Sequence, residues 1–131
     1  MVGPEFDRVV LGVRTTPRPI QIMAHSPVSC YGYPEFSDLA WYSTPSGAGV
    51  FAAGTLDWNA GLSSPDALTR TVVTTVTERV LKAVGTPHAG RAVPALDNAN
   101  RYYSASGVPL DAQGRPIARP KGPTPSPSVN P

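Results

Sequence analysis

Helical periodicity is confined to one stretch of this chain, and it has to be covered by something. Leu68, Val72, Val76 and Val80 recur every four residues, and Val73, Leu81 and Val84 widen the stripe. Ser64 suits an N-cap and Pro65 the first helical position. Asp66 near the start and Lys82 near the end complement the helix dipole, and Gly85 stops the run with Pro87 just beyond. Residues 71 to 77 are wholly β-branched, which favours a strand. A strand, however, would put Val72, Val76 and Val80 on one face and Val73 and Leu81 on the other, so the helical period fits better. Glu78 and Lys82 add an i,i+4 pair on the solvent side.

The remaining elements read as short strands. Residues 19 to 24 (Pro-Ile-Gln-Ile-Met-Ala) are apolar and β-branched. Residues 38 to 43 form a second candidate, followed by turn chemistry at Pro45, Ser46 and Gly47. Residues 49 to 55 form a third, whose small side chains suit a strand buried on both faces or approached closely by another backbone. The last two are expected to make a hairpin. No helical period appears between Pro4 and Ile20 to supply the crossover that a parallel strand needs. One helix and three strands leave apolar faces uncovered. The folded part is therefore expected to be the C-terminal piece of a larger α/β domain, or to need a partner chain.

Composition sharpens this. The 131 residues hold 16 prolines and 12 glycines, about a fifth of the chain against an average of about 12%. A helical bundle or coiled coil is excluded. Net charge is +2 with 15% charged residues, too balanced for an evident nucleic-acid footprint. No apolar run approaches the roughly 18 residues that span a bilayer, and no signal peptide is legible at the N-terminus. The lone Cys30 excludes an internal disulfide, which fits a reducing, cytoplasmic setting. Seven of the prolines lie from Pro109 onward, and residues 101 to 131 carry four Arg/Lys against one Asp. That segment is expected to be a basic, proline-rich disordered tail following a folded unit at 1 to 100. A PxxP ligand for an SH3-like groove is the alternative to a merely solvated tail.

Several strings then resemble a known family. They are His25-Ser26-Pro27, Cys30, Ser37-Asp38-Leu39-Ala40-Trp41-Tyr42, and the run from Pro45 through Gly49-Val50-Phe51-Ala52-Ala53-Gly54-Thr55 to Trp58. The chain resembles the C-terminal domain of the large (beta) subunit of N,N-dimethylformamidase and its actinobacterial relatives. The opening Val2-Gly3-Pro4-Glu5-Phe6-Asp7-Arg8 is similar to that family's Val-Gly-x-Glu-x-Asp segment, and the likeness runs on to Asn98. The resemblance implies a layered flavodoxin-like sheet of the class I glutamine amidotransferase kind, here as a partial α/β unit. It implies an amide hydrolase converting dimethylformamide to formate and dimethylamine, with iron held by two tyrosines and a glutamate. Phenolate and carboxylate are hard oxygen donors suited to ferric iron. The ligands would lie upstream of Val2, so that no cofactor is expected in this fragment. Glu5 is read as a ligand or as a salt-bridge partner of Arg8, and Tyr42, Tyr102 and Tyr103 as packing aromatics with bonded hydroxyls.

No residue of the chain is assigned a catalytic role. Cys30, His25 and Glu35 are the residue types of an amidotransferase triad, but they fall within eleven positions and lack a strand-turn-helix elbow. Cys30 reads instead as a small buried hydrophobe. His25 and His88 have no zinc-type spacing, and His88 reads as an exposed loop residue. Gly47-Ala48-Gly49 is too short for a phosphate fingerprint. Asp57 and Trp58 follow the third strand, where open α/β sheets bind ligands; the plainer reading is a cap and a core tryptophan. Three functions are expected in order: a structural fragment of a dimethylformamidase-like amide hydrolase, inactive alone; a non-catalytic structural or carbohydrate-associated module; and an adaptor acting through its tail.

Overall fold

The computed structural model describes residues 5–118. The chain is mixed α/β. Strands β1 (Ile20–Cys30), β2 (Tyr33–Ser43) and β3 (Gly49–Ala52) form one antiparallel sheet in the order β1-β2-β3. Helices α1 (Trp58–Leu62), α2 (Ala67–Val84) and α3 (Ala89–Ala92) follow, and then a short 3-10 turn at Ala99–Arg101. The hairpin expected between the second and third strands is present, closed by Thr44 N–H on the Ala48 carbonyl at 2.9 Å.

A second hairpin was not legible. The strand beginning at Ile20 runs on to Cys30, turns at Tyr31-Gly32, and returns from Tyr33. Both turn residues have positive φ, 50° and 82°, the geometry that two-residue hairpins need. Pro27 and Pro34 both lie within these strands. They sit opposite Phe36 and Ser29. Counting outward from the Cys30–Tyr33 closure, both are at positions whose N–H would point away from the ladder, so no hydrogen bond is lost.

One bulge decides which side chains face which. Ile22 pairs with Ala40, and then Ala24 pairs with Leu39, leaving Met23 without a partner position. The extra residue reverses the alternation of β1. Ile20 and Ile22 before it, and His25 after it, therefore share a face with Phe36, Asp38, Ala40 and Tyr42. Gln21, Ala24 and Ser26 share the other with Leu39 and Trp41.

Each face carries its own core. On the first, Val9, Leu11, Ile20, Ile22, Ala40, Ala99 and Tyr103 are buried together, with Tyr42 and Tyr102 against them. On the second, Trp41 packs with Ala89, Ala95, Phe51 and Ala83, and its indole Nε1 donates to the Val93 carbonyl at 2.9 Å. Gly49 lets this happen, since a Cβ there would lie 2.2 Å from the Trp41 ring. The same Cβ would lie 3.2 Å from the Gly90 backbone nitrogen, the approach by another backbone that small residues in the third strand predict.

Residues 101–118 correct the expected boundary at 100. Tyr103 is 1% exposed and belongs to the first core. Beyond it Tyr103 bridges to Pro109 and Leu110 to Pro116. The packing is driven by apolar side chains, with Tyr103 and Pro109 buried. The rest of the expected tail, 119–131, lies outside the described residues.

The long helix is present but begins later than Ser64 and Pro65 suggest. Asp66 is the N-cap: its Oδ2 accepts from Thr69 N–H at 2.7 Å, and that bond holds its carboxyl below the usual range. Ser64 instead accepts from Asp66 N–H outside the helix. The expected stripe is mostly uncovered. Val73 is buried, whereas Leu68 is 73%, Leu81 63% and Val72 51% exposed. No helix among the described residues is long and apolar enough to cross a membrane.

Candidate functional site

Asp38 is the polar centre of the molecule. It is 3% exposed, on the first face of β2. Its Oδ1 lies 2.7 Å from His25 Nδ1. Its Oδ2 accepts from Val9 N–H at 2.7 Å and from the Tyr103 hydroxyl at 2.5 Å. Because a carboxylate only accepts, the Nδ1–H of His25 donates. Four parts of the chain thus converge on one side chain: the N-terminal segment, β1, β2 and the segment after the 3-10 turn. The bulge at Met23 puts His25 here; without it Ala24 would face Asp38. His25 and Asp38 are a pair whose backbones do not bond each other, which brings their side chains closer.

Aromatic rings and Arg8 close around them. The His25 ring stacks on Phe36 with centroids 4.0 Å apart, and the Tyr102 and Tyr103 rings lie at 4.9 and 5.5 Å. Its Nε2 is buried with no partner among the described residues. Arg8 lies over the Tyr103 ring at 5.7 Å, donates to the Gly107 carbonyl, and pairs with Glu35 at 3.5 Å. The backbone is tied as tightly: Asp38 N–H donates to the Asp7 carbonyl and Asp7 N–H to that of Gly54, both at 3.0 Å.

Burial, reinforced by the bond to Asp38 and that group's charge, pushes the Tyr103 hydroxyl far above its ordinary range. Tyr103 therefore keeps its proton in the folded chain at pH values where an unfolded tyrosine, near about 10, has lost it. The sign follows from linkage. Stability from Tyr103 is present below about pH 10 and falls as pH rises further, because only the unfolded state then releases the proton. Tyr103→Phe is expected to cost about 1.5–3 kcal/mol at pH 8. In urea titrations the gap to the unsubstituted chain should narrow above about pH 10; a gap that stays flat to pH 11 would refute the assignment.

The sequence-derived candidates fall out as follows. Cys30 and His25 share β1 five residues apart, roughly 16 Å along a strand, and Glu35 faces Arg8, so no triad assembles. Cys30 is half-buried at the strand end, not a core residue. Glu5 is exposed, and Arg8 takes Glu35 in its place. His88 is exposed, as read from its loop. Asp57 precedes α1 without capping it, while Trp58 Nε1 donates to Thr77 Oγ1 at 3.1 Å and its ring meets Phe51 edge-on at 5.5 Å. The network around Asp38 is what reading the sequence missed. Its visible trace was that Asp38 sits inside an apolar strand.

An iron of the kind the resemblance implies needs two phenolates and a carboxylate facing one point. Tyr103 is spent on Asp38 and held protonated, and Tyr42 and Tyr102 pack against the first core. Among the described residues no group of three or more His, Cys, Asp or Glu could hold a metal. Tyr42, Tyr102 and Tyr103 therefore do not supply that site.

The fold and its centre define a small antiparallel α/β unit whose buried polar residues lock strands and termini together. The strings that lock are the ones singled out in the sequence, at 5–8, His25, 37–38 and 54–55. The chain belongs to the family described as N,N-dimethylformamidase beta subunit-like, C-terminal, whose model matches residues 1–71. The match ends inside α2, short of Asn98. No curated protein matches the chain, and no solved structure does.

Proposed function

We infer that the chain is the C-terminal part of an N,N-dimethylformamidase-like amide hydrolase, with a structural role and no activity of its own. Family membership carries the reaction class. The apolar stripe left open on α2 supports the view that more polypeptide belongs to the unit. Asp38 and Glu35 are already engaged, and Nε2 of His25 is sealed beneath aromatic rings. They are suited to holding a scaffold, not to activating water. In the complete protein the sheet would extend into a layered, glutamine amidotransferase-like domain, with the three strands seen here as its antiparallel margin. Any iron would be bound by residues outside 5–118.

The test is formate release from N,N-dimethylformamide. The isolated 131-residue chain is expected to give none above buffer. Joined to the polypeptide preceding it in its gene and supplied with iron, it is expected to turn over. Formate from the isolated chain, or none from the longer protein, would overturn the reading.

A further inference from the structure

The two edges of the sheet are treated differently. The edge of β1 is covered in part. Asn98 acts as a surrogate strand, its Oδ1 accepting from Ile22 N–H at 2.7 Å and its Nδ2 donating to the Ile22 carbonyl at 2.9 Å. Further along, Pro27 presents no N–H at an outward position. The edge of β3 is left open at Phe51, although just past the strand Phe6 bridges Thr55 and Asp7 N–H donates to the Gly54 carbonyl. From the Thr44–Ala48 closure the bonded pairs are Tyr42–Val50 and Ala40–Ala52, so Phe51 turns its N–H and C=O outward. Neither group has a backbone partner among the described residues.

Two clefts meet from opposite faces just past the end of β3. A cleft of about 520 Å³ lies on the first face, lined by Val10, Val13, Ala40 and Tyr42. One of about 270 Å³ lies on the second, lined by Leu39, Trp58, Leu68 and Val72. Ala53 and Thr55 line both. Paired clefts above and below one edge are what a sheet leaves where a strand is missing. Both linings are mainly apolar, although Glu5, Asp7 and Arg8 also line the first, and they call for a strand that is largely apolar on both faces, as in the interior of a layered sheet.

We propose that the outer edge of β3 pairs with an extended, two-sidedly apolar strand from the polypeptide that precedes this unit in the larger subunit, its side chains filling both clefts and shielding the Leu68–Val72 stripe of α2. This rests on the reading of the chain as part of a larger subunit. That the matched family is a C-terminal portion argues for this occupant over a second copy of the chain.

Amide hydrogen exchange tests it on the longer protein and on the isolated chain. The Phe51 and Ala53 amides are expected to exchange at least about 100-fold more slowly in the longer protein. Leu68→Glu is expected to leave the melting temperature of the isolated chain unchanged, because the side chain is 73% exposed, and to lower that of the longer protein. Equal exchange in both proteins would overturn the proposal, as would a gene encoding nothing ahead of residue 1. Protection that grows with concentration of the isolated chain would also overturn it, by assigning the edge to a second copy. Slowed exchange without formate release would leave the strand pairing standing and remove the hydrolase reading; formate release without slowed exchange would do the reverse.

Discussion

Asp38→Ala is expected to destabilise the fold by about 3–5 kcal/mol, the low end of the summed cost of leaving three buried donors without an acceptor. The loss exceeds that of an ordinary hydrogen bond because it strands three donors at once. Val9 N–H, the Tyr103 hydroxyl and His25 Nδ1 all end on this carboxylate. Each would remain buried with its desolvation uncompensated, at about 1–3 kcal/mol for a single group. Asp38→Asn is expected to recover part of the loss, since its amide oxygen still accepts from one side. Urea unfolding with the two variants beside Tyr103→Phe provides the check. A cost for Asp38→Ala no greater than that for Tyr103→Phe would mean that the other two bonds contribute little and that Asp38 is not the centre described.

Gly54→Ala is expected to be comparably severe, for a backbone reason. Gly54 has φ +68°, and a Cβ there would lie 2.2 Å from the Asp38 carbonyl oxygen. The left-handed conformation alone costs a residue with a Cβ about 1–2 kcal/mol, and the overlap adds about 1–3 kcal/mol. The atoms that would have to move are backbone of β2 itself. Gly54 also accepts from Asp7 N–H and from the Ser37 hydroxyl through its carbonyl, so a shift would loosen the N-terminal segment as well. Thermal melts of Gly54→Ala beside Gly32→Ala give an internal control. Gly32 has φ +82° but open space around it, so it reports the cost of φ by itself. Equal losses in the two variants would show that the contact with Asp38 is irrelevant.

Local signals carried a good deal of the architecture. The β-branched run at 71–77 reads as a helix through its 3.6-residue apolar period, and it is one. The hairpin joining β2 to β3 follows from proline and glycine chemistry between two apolar runs. The first hairpin was hidden because Pro27 and Pro34 are strand breakers by type, and only the register shows that both sit where no N–H is needed. The cap at Asp66 was hidden by competition, since Ser64, Pro65 and Asp66 are all good starters and the contact with Thr69 selects among them.

The centre of the molecule was not legible for a different reason. His25 and Asp38 lie thirteen positions apart, and alternation alone predicts that Ala24 faces Asp38. A single unpaired residue, Met23, reverses that alternation, and whether a strand bulges depends on the packing of both its faces together. Tyr103 reaches Asp38 from 65 positions away, on a segment whose composition reads as tail.

By itself the amino-acid sequence determined the long helix and the hairpin of β2 with β3, that one helix and three strands cannot cover their own apolar faces, and which family the chain resembles. These follow from periodicity, turn chemistry and composition, each read within a few residues. Tertiary structure alone decided that Asp38 accepts from three donors, that Tyr103 joins the core from beyond residue 100, and that Asn98 covers β1 at Ile22 while β3 is open at Phe51. Those outcomes depend on groups distant in sequence meeting in space, where the burial of one polar atom is settled by all of its neighbours at once.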